Sequence, residues 1–338
     1  MNGHDRRRMR LCFLPAALLL LGMVSSVSGD QGPLSAQNRF PLHLLFLTPR
    51  PASAVLPDQG ALRGAVAMEY SSVYFDQRGS RWYVLLDMET TVVDLCLTYG
   101  LTPRMAVRLD VPLISMNSGF LDGFLENYHN ALGVGNYGRE DRPGNTFAYQ
   151  VDKDGRRWLA GESGGFGLAD VTLSAQWAWL PPAVGGQWSS AVTASLKAPT
   201  GDARLGYGSG GYDFGLFLPS QWSGSTWTLY VMPGYIWRGS PDSLDASVAA
   251  RDGYTLFFGA AYDYSDRWRW LAQVNYFTSP LEKTGISRLD DGALEVSLGF
   301  RRCIGPNRYV EFAFSEDPFT LATPDFNIRL GVVWSWGG

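Results

Sequence analysis

Hydrophobic and polar residues alternate one by one near the end of the chain, and this alternation predicts a β-strand. From Phe326 to Trp336 the large apolar residues occupy every second position, whereas Asn327, Arg329 and Ser335 lie between them. Successive side chains of a strand point to opposite faces, so the strand has one apolar face. Two structures fit this pattern: a soluble sandwich with that face buried, or a membrane barrel with that face against lipid.

The same alternation recurs in about twelve segments of roughly ten residues each, the length that a tilted strand needs to cross a bilayer. The segments are 62–70, 82–99, 105–113, 171–179, 192–197, 212–218, 227–237, 254–264, 268–278, 294–302, 310–314 and 326–336. In the second segment the phase of the alternation changes near Val92 and Val93, which predicts a β-bulge.

The connections between these segments favour the barrel. Short connections (100–104, 181–187, 222–226, 265–267 and 304–308) alternate with mostly longer ones (115–165, 199–211, 238–251, 279–291 and 317–325). Bacterial outer-membrane barrels have an even number of strands, short periplasmic turns and longer external loops. The connection 76–80 is the exception, because it is short where an external loop is expected.

Tryptophan is concentrated at one rim of the predicted barrel. Nine of the twelve Trp residues lie beside the short turns or at the chain end. These nine are Trp177, Trp179, Trp188, Trp222, Trp227, Trp268, Trp270, Trp334 and Trp336. Indole rings favour the lipid headgroup level. The sequence therefore predicts an all-β fold: an antiparallel transmembrane β-barrel of about 12 strands, with one long external loop that contains a short amphipathic helix.

The N-terminus has the pattern of an export signal. Four Arg residues precede an apolar stretch, 11–24, that is too short to span a bilayer comfortably, and small residues follow it. We predict a signal peptide over 1–29, although an N-terminal membrane anchor is an alternative. Residues 30–60 are predicted to form an extended segment, either a plug inside the barrel or a periplasmic stretch. Residues 61–338 are predicted to form the barrel.

Charge and cysteine content exclude some functions. Removal of residues 1–29 takes away four Arg and one Asp, which changes the net charge from −4 to −7. An acidic exported protein has little attraction for a phosphate backbone, so we expect no nucleic-acid partner. Cys96 and Cys303 remain, enough for at most one disulfide. We also expect no cofactor.

Charged residues at the inward positions of the predicted strands are candidates for lining the lumen. Such charges set conductance in a wide pore, or pair with one another and close a narrow one. The candidates are Arg63, Glu69, Asp87, Glu89, Arg108, Asp110, Asp170, Lys197, Asp213, Asp263, Arg269, Glu295, Arg301, Glu311 and Arg329.

The long external segment contains the predicted loop helix, over 120–132, with apolar residues at helical spacing. Asp122, Glu126 and His129 lie on or beside its other side. Glu126 and His129 can share a helix face and so form an acid–base pair or part of a metal site. The alternative is an amphipathic helix that caps or folds into the barrel mouth, in which Glu126 and His129 only form hydrogen bonds. Since metal sites usually need three or four ligands and no second His is nearby, we predict no metal site.

The sequence resembles an uncharacterised family of bacterial outer-membrane barrels, catalogued as domain of unknown function 3187. The segments that carry the resemblance are GPLSAQNRFPL from Gly32, YGLTPRMAVRLDVPL from Tyr99, GFLDGFLENYHNALGVGNYGREDRP from Gly119, GFGLADVTLSAQW from Gly165, SLKAPTGD from Ser195 and SEDP from Ser315. The resemblance implies a barrel in the outer membrane and gives no catalytic residue. One departure is the ending, Gly337 and Gly338, where such barrels usually finish on an aromatic residue.

The function that these patterns favour is an outer-membrane channel or transporter for small solutes. The alternative is a non-conducting structural or surface-interaction barrel. A lipid hydrolase is a less favoured alternative, because the two His residues after position 29, His43 and His129, lie beside no plausible Ser nucleophile. The expected partners are outer-membrane lipid, small solutes, and the barrel-assembly machinery through the C-terminal strand. We predict no catalytic residue.

Overall fold

The computed structural model describes residues 31–121, 123, 143–317 and 322–337. Within these ranges one antiparallel sheet closes on itself, because the first strand pairs with the last and Leu62 lies opposite Trp336. The predicted all-β barrel is therefore confirmed. The predicted signal peptide, most of the predicted loop helix, and its candidates Asp122, Glu126 and His129 lie outside the described residues.

The described strands and helices follow one another along the chain with bounds that locate the barrel wall. The strands are β1 (Leu62–Arg78), β2 (Trp82–Thr102), β3 (Met105–Asn117), β4 (Ala148–Lys153), β5 (Arg156–Ala160), β6 (Gly167–Leu168), β7 (Val171–Leu180), β8 (Trp188–Ala198), β9 (Asp213–Phe217), β10 (Ser220–Ser223), β11 (Trp227–Arg238), β12 (Gly253–Ser265), β13 (Trp268–Phe277), β14 (Ala293–Gly305), β15 (Arg308–Glu316) and β16 (Phe326–Trp336). Three four-residue helices are described: α1 (Pro41–Leu44), α2 (Pro182–Gly185) and α3 (Ser287–Asp290). None of the described helices is long and apolar enough to cross a membrane.

The sixteen described strands form a wall of twelve strands, because two wall strands are each interrupted and β4 and β5 lie outside the wall. β6 and β7 both pair with β3 and form one wall strand, and β9 and β10 form another between β8 and β11. The second break lies at Pro219, which has no N–H for the ladder. β4 and β5 form a hairpin outside the wall, paired with the first half of β2.

The short connection between β1 and β2 is explained by the length of these strands. β1 has 17 residues and β2 has 21, whereas about ten suffice to cross the bilayer. The two strands therefore continue beyond the membrane, and the β4–β5 hairpin adds to them, with Lys153 opposite Trp82. At this position the extended strands therefore take the place of the expected external loop.

The predicted bulge in β2 is wrong. Pairing between β1 and β2 runs without a register shift from Leu62 opposite Tyr99 to Arg78 opposite Tyr83. Leu95 and Leu97 face outward, where they are 39% and 47% exposed, whereas Leu86 faces inward and is buried. The apolar face changes because the environment changes: lipid surrounds the lower half of the strand, and above the membrane the apolar side covers a core inside the barrel.

The predicted position of Asp87 and Glu89 in the lumen is wrong for the same reason. The uninterrupted pleat of β2 places them on the outer face with Leu95, and not in the lumen as predicted. The chain that follows β3 covers them: Glu89 Oε1 accepts the Phe120 N–H at 2.9 Å, and Thr146 Oγ1 donates to Asp87 Oδ2 at 2.6 Å. Both carboxylates hold the external loop against the barrel.

The outer face of the barrel is an apolar belt with aromatic residues at one rim. Leu173, Leu298 and Leu330 are each more than half exposed, which suits contact with lipid. Six residues at the end with the short turns are each about half exposed: Trp177, Trp179, Trp188, Trp227, Trp270 and Trp336. Such a ring marks the membrane interface, and we refer to this end, with its short turns, as the periplasmic end.

The N-terminal segment occupies the lumen as a U-shaped chain. Its ascending arm, residues 31–39, starts beside Arg301 near the periplasmic end. Residues 40–45, which include α1, turn the chain inside the external half. The descending arm, residues 46–58, returns to the periplasmic end, where the Ala54 N–H donates to Gln221 and the Gly60 N–H donates to the Gly100 carbonyl.

Candidate functional site

The centre of the lumen contains a network of ion pairs around Arg39 of the ascending arm. Its guanidinium contacts Glu69 Oε2 of β1 and Asp94 Oδ2 of β2, each at 2.5 Å. Arg329 of β16 pairs with Glu69, reaches Asp94 Oδ2 at 3.1 Å, and reaches Glu311 Oε1 of β15 at 3.1 Å. All five side chains are at most 5% exposed, so each charge depends on its partners for compensation.

Arg301 of β14 holds the start of the ascending arm through its backbone. Its guanidinium donates to the carbonyls of Gln31, Gly32 and Pro33 at 2.6, 2.5 and 2.5 Å, and Nε donates to Glu311 Oε2 at 2.8 Å. These three acceptors are consecutive main-chain groups. Arg301 therefore fixes the position of the arm and not the identity of its side chains.

The descending arm is held by a second set of charges on the adjacent strands β2 and β3. Arg50 lies 3.2 Å from Asp94 Oδ2 and 3.3 Å from Asp110 Oδ1 of β3, and Arg108 pairs with Asp110 at 2.9 Å. Higher in the lumen, Asp213 Oδ2 accepts the Leu47 N–H at 2.6 Å. These contacts link both arms to one wall through Asp94.

The remaining sequence candidates lie at the two ends of these networks or apart from them. Lys197 pairs with Asp170 and lies 3.5 Å from Asp213 at the external side. Arg269 forms a bidentate pair with Asp263 at 2.6 and 2.8 Å. Glu295 is buried on β14, and Arg63 lies at the periplasmic mouth.

Three members of the central network are absent from the sequence candidates: Arg39, Arg50 and Asp94. Asp94 has a usable signal, since it lies between the outward residues Val93 and Leu95 and so has to face inward. Arg39 and Arg50 are the basic residues of the segment that precedes β1. The sequence could not pair these two Arg residues with carboxylates of the wall, because it does not show that the segment lies in the lumen.

An apolar cluster, the upper cluster, fills the external half of the lumen above the charges. The turn of the N-terminal segment packs there against the inner faces of the extended strands. Its members include Phe40, Leu42, Leu45, Phe75, Trp82, Trp158 and Phe277. This cluster separates the charged part of the lumen from the outside.

His43 lies within the upper cluster between the rings of Phe40 and Phe277, with both centroids 6.2 Å away. Burial, and next the charge of Arg238, lower the pKa of His43 to about 3, so the imidazole is neutral at physiological pH. Its Nε2 has no hydrogen-bond partner. Among the described residues this nitrogen therefore contacts no hydroxyl that it could activate, as a lipid hydrolase requires.

Cavities run beside the descending arm. One of about 70 Å³ lies near Phe46 and Asp110, and a second of about 110 Å³ lies below it near Ser53 and Gln176. Arg50 and Arg108 line both cavities. Arg63 lines the second cavity and also the periplasmic mouth, whose volume is about 1110 Å³. The charged side of the lumen therefore lies along the space that leads from the periplasmic end.

No metal site is apparent in the part of the chain that the structure describes, since no three His, Cys, Asp or Glu side chains there are grouped as ligands. Cys96 and Cys303 are both free thiols.

Known structures that resemble the chain include an outer-membrane channel, a porin and a toluene transporter. The COG4313 outer membrane channel from Pseudomonas putida F1 has a TM-score of 0.58 at 15% identity, over 85% of this chain and 100% of that chain. The NanC porin has a TM-score of 0.43 at 9% identity, over 81% and 98%. The toluene transporter TbuX from Ralstonia pickettii has a TM-score of 0.40 at 10% identity, over 82% and 90%. No curated protein matches the sequence.

The likeness to the COG4313 channel shows a shared fold. Together with the apolar belt and the Trp ring, this fold confirms the predicted location in the outer membrane. The resemblance seen in the sequence is confirmed as well, because the family pattern matches residues 10–336: the chain belongs to the family described as Protein of unknown function (DUF3187).

Proposed function

We propose that the protein is an outer-membrane channel for small solutes, whose closed state is held by its own N-terminal segment. The observation that carries this proposal is the polar lining of the lumen below the upper cluster. Inward charges such as Glu69, Arg301 and Arg329 are buried there against the segment. A barrel that serves only as a solid scaffold has no need of them, because apolar packing is usually at least as stabilising as buried ion pairs.

The contacts of the segment suit a plug that moves. Buried ion pairs contribute little net stability because desolvation of the charges offsets their attraction. Arg39, Arg50 and Arg301 therefore fix where the two arms lie without making their insertion irreversible. When the arms leave, the same charged side chains line a water-filled path.

The proposal places the partners on different faces of the molecule. Small solutes contact the lumen, and outer-membrane lipid contacts the apolar belt around Leu298 and Leu330. We also propose that the barrel-assembly machinery binds the C-terminal strand β16, which pairs with β1 to close the wall. Catalysis has no part in this proposal, since the ring of His43 packs against the rings of Phe40 and Phe277.

The test is single-channel recording from the purified full-length protein in planar bilayers. We expect a largely closed barrel with brief conducting steps. Arg301→Gln, which removes donors to three carbonyls of the ascending arm, should lengthen these steps. The matched control is Arg302→Gln, since Arg302 is the next residue, faces outward and lies 5.2 Å from the centroid of the Trp268 ring. This control should behave as the wild type.

The opposite result is equally clear. Absence of conducting steps in the wild type and in Arg301→Gln, with both barrels folded by heat-modifiable electrophoretic mobility, would contradict the channel. The non-conducting structural or surface-interaction barrel would then be favoured. A lipid-hydrolysis assay on the same preparations tests the remaining alternative, and release of fatty acid that depends on His43 would support it.

A further inference from the structure

A row of uncharged polar side chains crosses six neighbouring strands on the inner wall. Its members are directly opposed from strand to strand and all point into the lumen. Along β13, β14, β15, β16, β1 and β2 they are Gln273, Ser297, Ser315, Asn327, Ser71 and Thr90. Each is at most 3% exposed. We call this set the polar row.

The polar row climbs the wall of the barrel. Five steps between strands of about 4.8 Å make it about 24 Å long. Barrel strands tilt by about 40°, so a row perpendicular to them rises by about 15 Å through the membrane. It is therefore placed along a permeation path and not as a ring at one depth.

Several atoms of the polar row have no hydrogen-bond partner in the described structure. Ser297 and Ser315 share a hydrogen bond of 2.8 Å, and Gln273 Nε2 donates to the Leu34 carbonyl at 3.3 Å. The atoms without a partner are Gln273 Oε1, Asn327 Nδ2, Asn327 Oδ1, Ser71 Oγ and Thr90 Oγ1. Since nearly all buried polar groups in proteins have a partner, these donors and acceptors are suited to a bound molecule.

The residues next to the row add to its hydrogen-bonding capacity. Asn275 lies opposite Glu295 one position higher, and neither Asn275 Nδ2 nor Glu295 Oε2 has a partner. Glu295 forms no ion pair with any residue that the structure describes, so it offers hydrogen-bonding capacity without a paired cation. On the other side of the row, Glu69 and Arg329 compensate each other.

We propose that the polar row is a binding site for a small neutral polyhydroxylated solute, which the ascending arm covers in the closed state. Amide and hydroxyl side chains both donate and accept, as adjacent hydroxyl groups of such a solute do. The row carries no charge to favour an ion. This inference rests on the proposed channel, because the Leu34 backbone contacts the row until the arm moves.

The experiment measures block of the ion current by glucose and sorbitol in the Arg301→Gln protein. We expect both polyols to reduce the current with saturation, whereas acetate at equal concentration should not. The double variant Asn327→Leu with Ser71→Ala should weaken the block at least tenfold. Because these side chains have no protein partner to lose, their replacement by apolar groups should leave the barrel folded.

Ser174→Ala is the matched control. Ser174 is buried on the opposite wall, and its hydroxyl is hydrogen-bonded to Ser195 at 2.8 Å. The control should keep the block by glucose. A conducting protein that glucose does not block, or a block that the double variant retains, would overturn the polar-row site and leave the channel standing.

A protein that does not conduct would remove the proposed channel, and the site is then decided separately. Saturation-transfer NMR of glucose with the same detergent-solubilised proteins measures binding without current. Contact signals that disappear in the double variant and persist in Ser174→Ala would support the site. Equal signals, or none, in all of these proteins would overturn it.

Discussion

Arg39→Ala is the substitution that most directly tests how the N-terminal segment is held. The guanidinium of Arg39 lies between Glu69 and Asp94, each contact at 2.5 Å, and is 5% exposed. Loss of Arg39 leaves both carboxylates desolvated by the segment with one cation fewer. The displaced state is affected less, because water then reaches these carboxylates.

The magnitude follows from the partners that remain. Removal of one member of a buried ion pair costs about 3–5 kcal/mol. Arg329 still contacts Glu69 and Asp94, and Arg50 lies 3.2 Å from Asp94, so the lower end of that range applies. A loss of about 3 kcal/mol from the closed state corresponds to roughly a 100-fold increase in the ratio of open to closed channels.

The assay is the open probability of single channels at fixed voltage. Arg81→Ala is the control, because Arg81 forms a bidentate pair with Asp154 that is exposed and lies outside the lumen. Water screens the charges of this exposed pair, and its loss should leave the open probability unchanged. Arg39→Lys keeps the charge and loses the fixed, planar arrangement of guanidinium N–H donors. Its open probability should therefore lie between that of the wild type and that of Arg39→Ala.

One result would refute this reasoning. If folded Arg39→Ala conducts with the open probability of the wild type, the central network does not hold the plug. Comparison of thermal unfolding midpoints distinguishes this case from general loss of the barrel. A lowered midpoint with unchanged conductance would mean that Arg39 stabilises the barrel wall and not the closed state.

Three further predictions concern pH, lipid contact and orientation. The pKa of His43 is lowered by burial to about 3 from an ordinary 6.5, so protonation of the displaced state below about pH 6.5 destabilises the plugged state, and a fall from pH 6.5 to pH 5.5 should cost about 1 kcal/mol. Open probability should therefore rise about fivefold in the wild type and stay constant in His43→Gln, and an equal rise in both would assign the effect to other groups. Leu330→Arg should reduce folding stability in lipid vesicles by about 2–4 kcal/mol, whereas Ser335→Arg, at a position that lines the periplasmic mouth, should cost far less, and equal losses would mean that Leu330 does not face the bilayer centre. A peptide tag at residues 154–155 of the β4–β5 turn should be labelled on intact cells and a tag at α2 only after permeabilisation, and the reverse pattern would invert the barrel.

The sequence alone determined the architecture of the wall. Alternation such as that of Phe326–Trp336 is readable because lipid on one side and polar groups on the other impose a period of two on each strand. For the same reason the inward positions of Arg329, Glu311 and Arg301 followed from the pleat. These features depend on the immediate surroundings of one strand.

Only the tertiary structure decided what fills the lumen. Whether residues 31–58 lie inside depends on contacts between groups far apart in the chain, such as Arg301 with the Gly32 carbonyl. Asp87 and Glu89 were misplaced because an apolar face predicts burial in lipid or in a core equally well. The alternation fixes the two faces of β2, but the height at which lipid ends and the upper cluster begins is set by the packing of the whole barrel.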